Sequence, residues 1–247
     1  MSGRKIEGTV ALVTGANRGI GRAIAEALVD RGARKVYATA RDAGGMQALK
    51  ARHPGQVVVL RLDVTQADQV ARVAGEAPDV ELLINNAGVV EAQDLTGSEV
   101  VEQARREMEV NYFAPLNLLQ RFAESLASRK GAVVNVSSVA GLTNFALFPT
   151  YSASKAAIHS LTQGARALLA RRGVTVFGVY PGPVDTDMAR EITLEKASPQ
   201  AVAKAVLDGI EAGREDIFPD PFAVTFGQQY QASPKESERQ LAAMVAA

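Results

Sequence analysis

Short apolar runs and helical periods alternate along most of the chain. Val10 to Val13 reads as a buried strand. Behind it, Ile20, Ala23, Ile24, Ala27 and Leu28 share one face of a helix predicted over Gly19 to Arg31, and Gly32 stops it. Further strands are predicted at Val36 to Thr39, Val57 to Leu60, Leu82 to Ile84, Val133 to Val136 and Val174 to Val179. They are rich in valine, and several are apolar throughout instead of alternating. That pattern belongs to strands covered on both faces. Helices are predicted between them near 66–77, 99–128 and 151–171. The expected fold class is α/β, a doubly wound parallel sheet flanked by helices on both faces.

The last part reads differently. Ser198-Pro199 opens a helix, with serine as cap and proline at the first helical position. Val202, Val206 and Ile210 give it an apolar stripe, and Gly213 ends it. Pro219 to Pro221 reads as a turn or loop. Ser233-Pro234-Lys235-Glu236 is a capping box, with Leu241, Met244 and Val245 on the helix behind it. No repeat or linker divides the chain, so residues 1–247 are expected to form a single domain.

Thr14-Gly15-Ala16-Asn17-Arg18-Gly19-Ile20-Gly21 sits between the first strand and the first helix. Gly15 permits a tight turn, Gly19 lets the backbone approach a pyrophosphate, and Gly21 allows close helix–sheet packing. The helix N-terminus offers free N–H groups to the phosphates. In that context the loop predicts a dinucleotide site, and the sheet becomes a Rossmann-type one. No Gly-Lys-Ser/Thr follows, which excludes a Walker A loop. Which dinucleotide is bound depends on the end of the second strand, where an acidic residue suits NAD and an arginine suits NADP. Arg41 stands there, with Ala40 beside it, and Arg18 could reach the same phosphate. NADP(H) is therefore preferred over NAD(H), with Asp42 as counter-evidence.

Composition narrows the field. Lysine plus arginine and aspartate plus glutamate are both 27, so net charge is zero. This argues against nucleic acid or an anionic membrane as the main partner. The absence of cysteine excludes disulfides, thiol nucleophiles and thiolate metal sites, and His53 and His159 alone suggest no metal centre. His159 reads as a helix-face residue and His53 as an exposed loop residue. Met1 to Gly8 lacks the apolar core of a secretory signal, and a cytoplasmic location is expected. Between Lys130 and Lys155 lie 24 uncharged residues. Their polar members, such as Asn135, Ser137, Ser138 and Asn144, point to a buried site instead of a membrane span.

Tyr151-Ser152-Ala153-Ser154-Lys155 places a tyrosine and a lysine on one helix face. A free tyrosine has a pKa of about 10, and a nearby ammonium lowers it. The pair is thus a candidate proton donor, and Ser138 lies 13 residues earlier, at a strand end.

With these residues the chain resembles the short-chain dehydrogenases/reductases over about residues 8 to 190. The matching motifs are Thr14 to Gly21, Asp63, Asn85-Asn86-Ala87-Gly88, Asn111, Ser138, Tyr151-x-x-x-Lys155 and Pro181-Gly182. The resemblance implies an NADPH-dependent reductase of ketones or aldehydes, working reversibly. Tyr151 would protonate the carbonyl oxygen, Ser138 would stabilise it, and Lys155 would lower the tyrosine pKa and hold the nicotinamide ribose. Asn111 would position a proton-relay water, although it could simply cap or bend its helix. Asn86, Ala87 and Gly88 would support the cofactor, Asp63 would contact the adenine with Val64 beside it, and Pro181, Gly182, Val184 and Thr186 would wrap the nicotinamide. The pocket would form between Val139 to Thr150 and the segment after Thr186, with Leu142, Phe145, Leu147, Phe148, Met188 and Ile192 as candidates. This suggests a small apolar or aromatic carbonyl or alcohol. A non-catalytic NADP(H) sensor is the alternative; such a protein could dispense with Tyr151 and Ser138, and both are present. The Tyr–Lys spacing and the glycine motif count against an enoyl reductase or a sugar epimerase. The C-terminal extension at about 219–247 departs from the family pattern. It puts the usual tetramer in doubt and leaves dimer, tetramer and monomer open.

Overall fold

The structure, a computed structural model, describes residues 3–42, 44–91 and 94–246, with side chains up to residue 243. Met244 and Val245, assigned above to a helix face, therefore have side chains outside the described residues.

The six strands expected from valine-rich runs are all present. They are β1 (Val10–Thr14), β2 (Lys35–Ala40), β3 (Val57–Arg61), β4 (Leu82–Asn85), β5 (Ala132–Val136) and β6 (Thr175–Val179). A short β7 (Asp216–Ile217) joins them. All pair in parallel, in the order β3-β2-β1-β4-β5-β6-β7. The order reverses beside β1, and the crevice outside the strands' carboxyl ends at that point is where α/β sheets bind ligands.

The helices are α1 (Gly19–Asp30), α2 (Gln47–Arg52), α3 (Ala67–Glu76), α4 (Val100–Met108), α5 (Ala114–Ser128), α6 (Pro149–Leu169), α7 (Pro199–Glu211), α8 (Pro221–Ala232) and α9 (Pro234–Ala246). Alternate strand residues feed two cores. Ala11, Val13, Val134 and Phe177 meet Ile24 and Leu28 of α1 and Val206 and Ile210 of α7 on one face. Leu12, Leu83, Val133 and Val176 meet Val70 of α3 and Leu118 and Phe122 of α5 on the other. Continuous apolar runs follow because each strand has no solvent face. The edge strand β3 is the exception and is only partly covered. None of the described helices is long and apolar enough to cross a membrane.

Three readings change. The stretch near 99–128 is not one regular helix: between α4 and α5, Glu109–Phe113 widens into a π-helical turn. Pro115 has no N–H to give to the Asn111 carbonyl, so the α register cannot run through unbroken. Pro219 to Pro221 leads directly into α8, where Asp220 caps the first turn through Ala223 N–H and Pro221 takes the first helical position. The capping box at Ser233 is half formed. Its hydroxyl accepts from Glu236 N–H at 3.3 Å, while its own N–H still bonds back to Gln229 of α8.

Candidate active site

The glycine turn is fixed from β4. Thr14 Oγ1 accepts from the N–H groups of Asn86 and Ala87, each at 3.0 Å. Asn86 Nδ2 donates to the Thr14 carbonyl at 2.8 Å. Gly15 and Gly19 take φ of +67° and +56°, a region that favours glycine. A Cβ on Gly21 would lie 2.3 Å from Asn86 Nδ2, so helix and sheet approach this closely only with glycine there. The start of α1 has neither a side-chain cap nor an acid in its first turn, which leaves its N–H groups open to an anion.

The second half of the site is built where β5 meets α6. Ser137 Oγ donates to the Lys155 carbonyl at 2.9 Å, pinning the helix to the strand end. Gly141 lets them close, since a Cβ there would stand 2.5 Å from that carbonyl. Both serines border the cleft, but the Ser137 hydroxyl is buried and spent on this structural tie, which leaves Ser138 as the candidate donor. Ser138 Oγ accepts from Ala140 N–H at 3.1 Å, donates to the Pro181 carbonyl at 3.4 Å and lies near enough to the Tyr151 phenol to influence its ionisation. Lys155 Nζ donates to the Val136 carbonyl at 2.9 Å and sits 5.6 Å from the Tyr151 ring centre.

Electrostatics differ from the sequence expectation in one respect. Burial pushes the Tyr151 phenol up to about 12, opposed by the Ser138 hydroxyl and reinforced by the Glu107 charge. Burial also lowers the Lys155 ammonium to about 8. The expected lowering of the tyrosine by the lysine is not among the causes of its shift, and desolvation, which penalises the charged form of both groups, dominates.

All the residues assigned to the cofactor on sequence grounds, from Gly15 to Thr186, border one cleft of about 660 Å³, together with Ser138. Asn111 lies behind it, buried in the π turn. Its amide is fully used: Oδ1 accepts from Val89 N–H, and Nδ2 donates to the Val89 carbonyl and to Ser154 Oγ. A Cβ on Gly88 would lie 3.2 Å from Asn111 Oδ1 and 3.4 Å from Lys155 Nζ, so the three are near neighbours. Of the six pocket candidates, Phe145, Phe148, Met188 and Ile192 line the cleft. Leu142 turns instead to an apolar cluster with α8, and Leu147 is exposed.

Around the phosphate end, Arg41 lines the cleft and makes no ion pair among the described residues. Asp42 does not pair with it among the described residues; its Oδ1 accepts from Gly44 N–H at 2.8 Å. Arg18 is held across the cleft mouth by Asp187 at 2.5 Å. Asp63 accepts from Thr65 N–H and Thr65 Oγ1. His53 is half-buried at the end of α2, not exposed. His159 lies away from the cleft with Nδ1 2.7 Å from the Tyr180 hydroxyl.

One wall escaped the sequence reading. Val89, Val90, Glu91, Arg106, Glu109 and Val110 border the cleft, with an Arg106–Glu91 ion pair of 2.6 Å and Glu107 accepting from Glu91 N–H at 2.8 Å. No short motif joins these residues. The available signal was helical spacing, since Glu107 lies one turn before Asn111.

Comparison with known proteins follows the same outline. The family model described as short chain dehydrogenase matches residues 9–197. A 3-oxoacyl-[acyl-carrier-protein] reductase of Vibrio cholerae is 34% identical over 235 residues, covering 93% of this chain and 92% of that protein. A sorbitol dehydrogenase of Cereibacter sphaeroides is 34% identical over 188 residues, covering 73% and 72%. A solved structure of a short chain dehydrogenase from Burkholderia cenocepacia J2315 in complex with NADP superimposes with a TM-score of 0.90. It is 41% identical, and the match covers 96% of this chain and 99% of that one.

Proposed function

The chain belongs to the short-chain dehydrogenase/reductase family, oxidoreductases of CH–OH and C=O groups, and from that premise we propose that it reduces a small apolar or aromatic ketone or aldehyde with NADPH, reversibly. One observation carries the reading. Tyr151, Ser138 and Lys155 line the same cleft that begins at the open N-terminus of α1, with the Lys155 ammonium 5.6 Å from the Tyr151 ring centre.

The chain's groups fit a nicotinamide dinucleotide. The glycine turn, with Gly15 and Gly19 at positive φ, presents to a pyrophosphate the start of α1, which has no side-chain cap. Lys155 would hold the nicotinamide ribose, Asp63 and Val64 the adenine, and Pro181, Gly182, Val184 and Thr186 the nicotinamide. Arg41, which makes no ion pair among the described residues, supports a 2′-phosphate over a bare ribose hydroxyl. When bound, the cofactor supplies the hydride that the carbonyl carbon accepts.

The remaining chemistry is the protein's. Tyr151 gives its phenolic proton to the carbonyl oxygen, and Ser138 donates a second hydrogen bond to the charge developing there. Lys155 returns a proton toward Tyr151. Asn111 holds Val89 and Ser154 in place through its amide, and its main-chain carbonyl, which Pro115 cannot serve, is the group that would hold a relay water. Phe145, Phe148, Met188 and Ile192 give the substrate an apolar wall, which supports an apolar substrate class.

The test is oxidation of NADPH, and of NADH in parallel, against a panel of aliphatic and aromatic ketones and aldehydes. Turnover of apolar carbonyls with NADPH is the expected result. Tight NADPH binding without any turnover would replace the reductase with a sensor.

A further inference from the structure

The segment after β7 does not trail away from the cleft. Asp220 is only 5% exposed, and each of its carboxylate oxygens accepts one backbone N–H. Oδ1 takes Ala223 N–H at 2.8 Å and caps α8. Oδ2 takes Gly182 N–H at 2.8 Å, in the turn that borders the cleft. The preceding residue, Pro181, presents its carbonyl to Val139 N–H at 3.1 Å and to Ser138 Oγ at 3.4 Å. Gly182 must stay bare for this contact, since a Cβ there would lie 2.8 Å from Asp220 Oδ1 and 2.7 Å from the Phe222 ring. One turn on, Phe226 packs against Phe145 of the cleft wall with ring centres 5.5 Å apart.

We propose that Asp220 is a positioning residue: by tying Gly182 to the start of α8, it holds the turn whose Pro181 carbonyl anchors Val139 N–H and so the backbone that carries Ser138, making the C-terminal segment part of the active site. The inference rests on the reductase reading. Its physical basis is that a buried carboxylate held by two N–H donors has one orientation available, and the turn inherits it.

The capping and the tying functions can be separated. Asparagine is as good a helix cap as aspartate, but it has only one acceptor oxygen and cannot serve Ala223 and Gly182 together. Serine caps with a single, shorter hydroxyl. Asp220→Asn and Asp220→Ser are therefore assayed for carbonyl reduction, with activity expressed per folded protein from circular dichroism. Both keep the cap and should lower the unfolding midpoint by only a few degrees, the cost of leaving the Gly182 N–H without its acceptor. Both should lose about 10- to 100-fold in kcat, with much smaller changes in substrate KM, because misplacing a reacting group by ~1 Å costs on that scale. Asp220→Ala should lose the same activity and unfold at a lower temperature than either. An active wild type matched by the Asn and Ser variants, or variants whose loss equals only their unfolded fraction, would overturn the inference alone. A wild type that turns over no carbonyl would remove the reductase reading and this inference with it.

Discussion

The Lys155 ammonium lies 5.6 Å from the centre of the Tyr151 ring, and burial drives the two groups in opposite directions, the lysine down to about 8 and the tyrosine up to about 12. Tyr151, the proposed proton donor, therefore stays protonated through the working range, and the lysine is the group that changes charge near neutrality. Since kcat/KM reports the free enzyme, kcat/KM for NADPH in the reductive direction should be level below pH ~7 and fall above pH ~8 as Lys155 loses its proton. A pH–rate profile checks this, and a level profile up to pH ~10 would contradict it.

Arg18 cannot serve a 2′-phosphate while it is held by Asp187. The pair is exposed, and such pairs are weak. Asp187→Ala should free Arg18 and tighten NADPH about two- to fivefold, leaving NADH unchanged. Fluorescence titration with both cofactors reads the difference, and an equal shift for both would assign Asp187 a role unrelated to the phosphate.

Arg41→Asp tests the other cation. It replaces a guanidinium with a carboxylate at the end of β2, where acids accept a ribose hydroxyl. The NADPH/NADH ratio of kcat/KM should fall by at least ~10-fold. An unchanged ratio would take Arg41 out of cofactor choice.

Stability has a polar element inside the sheet. Asn85 Nδ2 donates to Asn135 Oδ1 at 2.8 Å, and Asn135 Nδ2 donates to Thr162 Oγ1 at 2.9 Å, linking β4, β5 and α6 in the interior. Asn135→Ala leaves a buried donor on β4 without its acceptor and opens a small void. It should cost about 2–4 kcal/mol, read from denaturant unfolding. A cost below ~0.5 kcal/mol would show that water or rearrangement replaces the link.

What could be read in advance follows the range of the forces involved. The strands were legible because two-sided burial leaves an apolar run of consecutive residues, as in Val10 to Val13. Gly15 to Gly21 and Tyr151 with Lys155 were legible because their chemistry is local, set by a turn or one helical repeat. Helix α8 was hidden by Val224, Thr225 and Gly227, which weaken helical periodicity, although Asp220-Pro221 carried the cap signal. The Glu91–Arg106 wall and the Asp220–Gly182 bond join residues 15 and 38 positions apart, and no local pattern announces such pairs. The upward shift of Tyr151 was out of reach for the same reason, since it comes from the depth of the fold around it and not from its helical neighbour.

The most direct test of the whole account is the ratio of NADPH-dependent carbonyl reduction in the wild type to that in Tyr151→Phe, with NADPH affinity measured on both proteins. Loss of the phenolic proton should lower kcat by at least ~100-fold while the cofactor Kd stays within about twofold. A Tyr151→Phe variant that reduces carbonyls at the wild-type rate would contradict the central claim that this hydroxyl is the acid of the reaction.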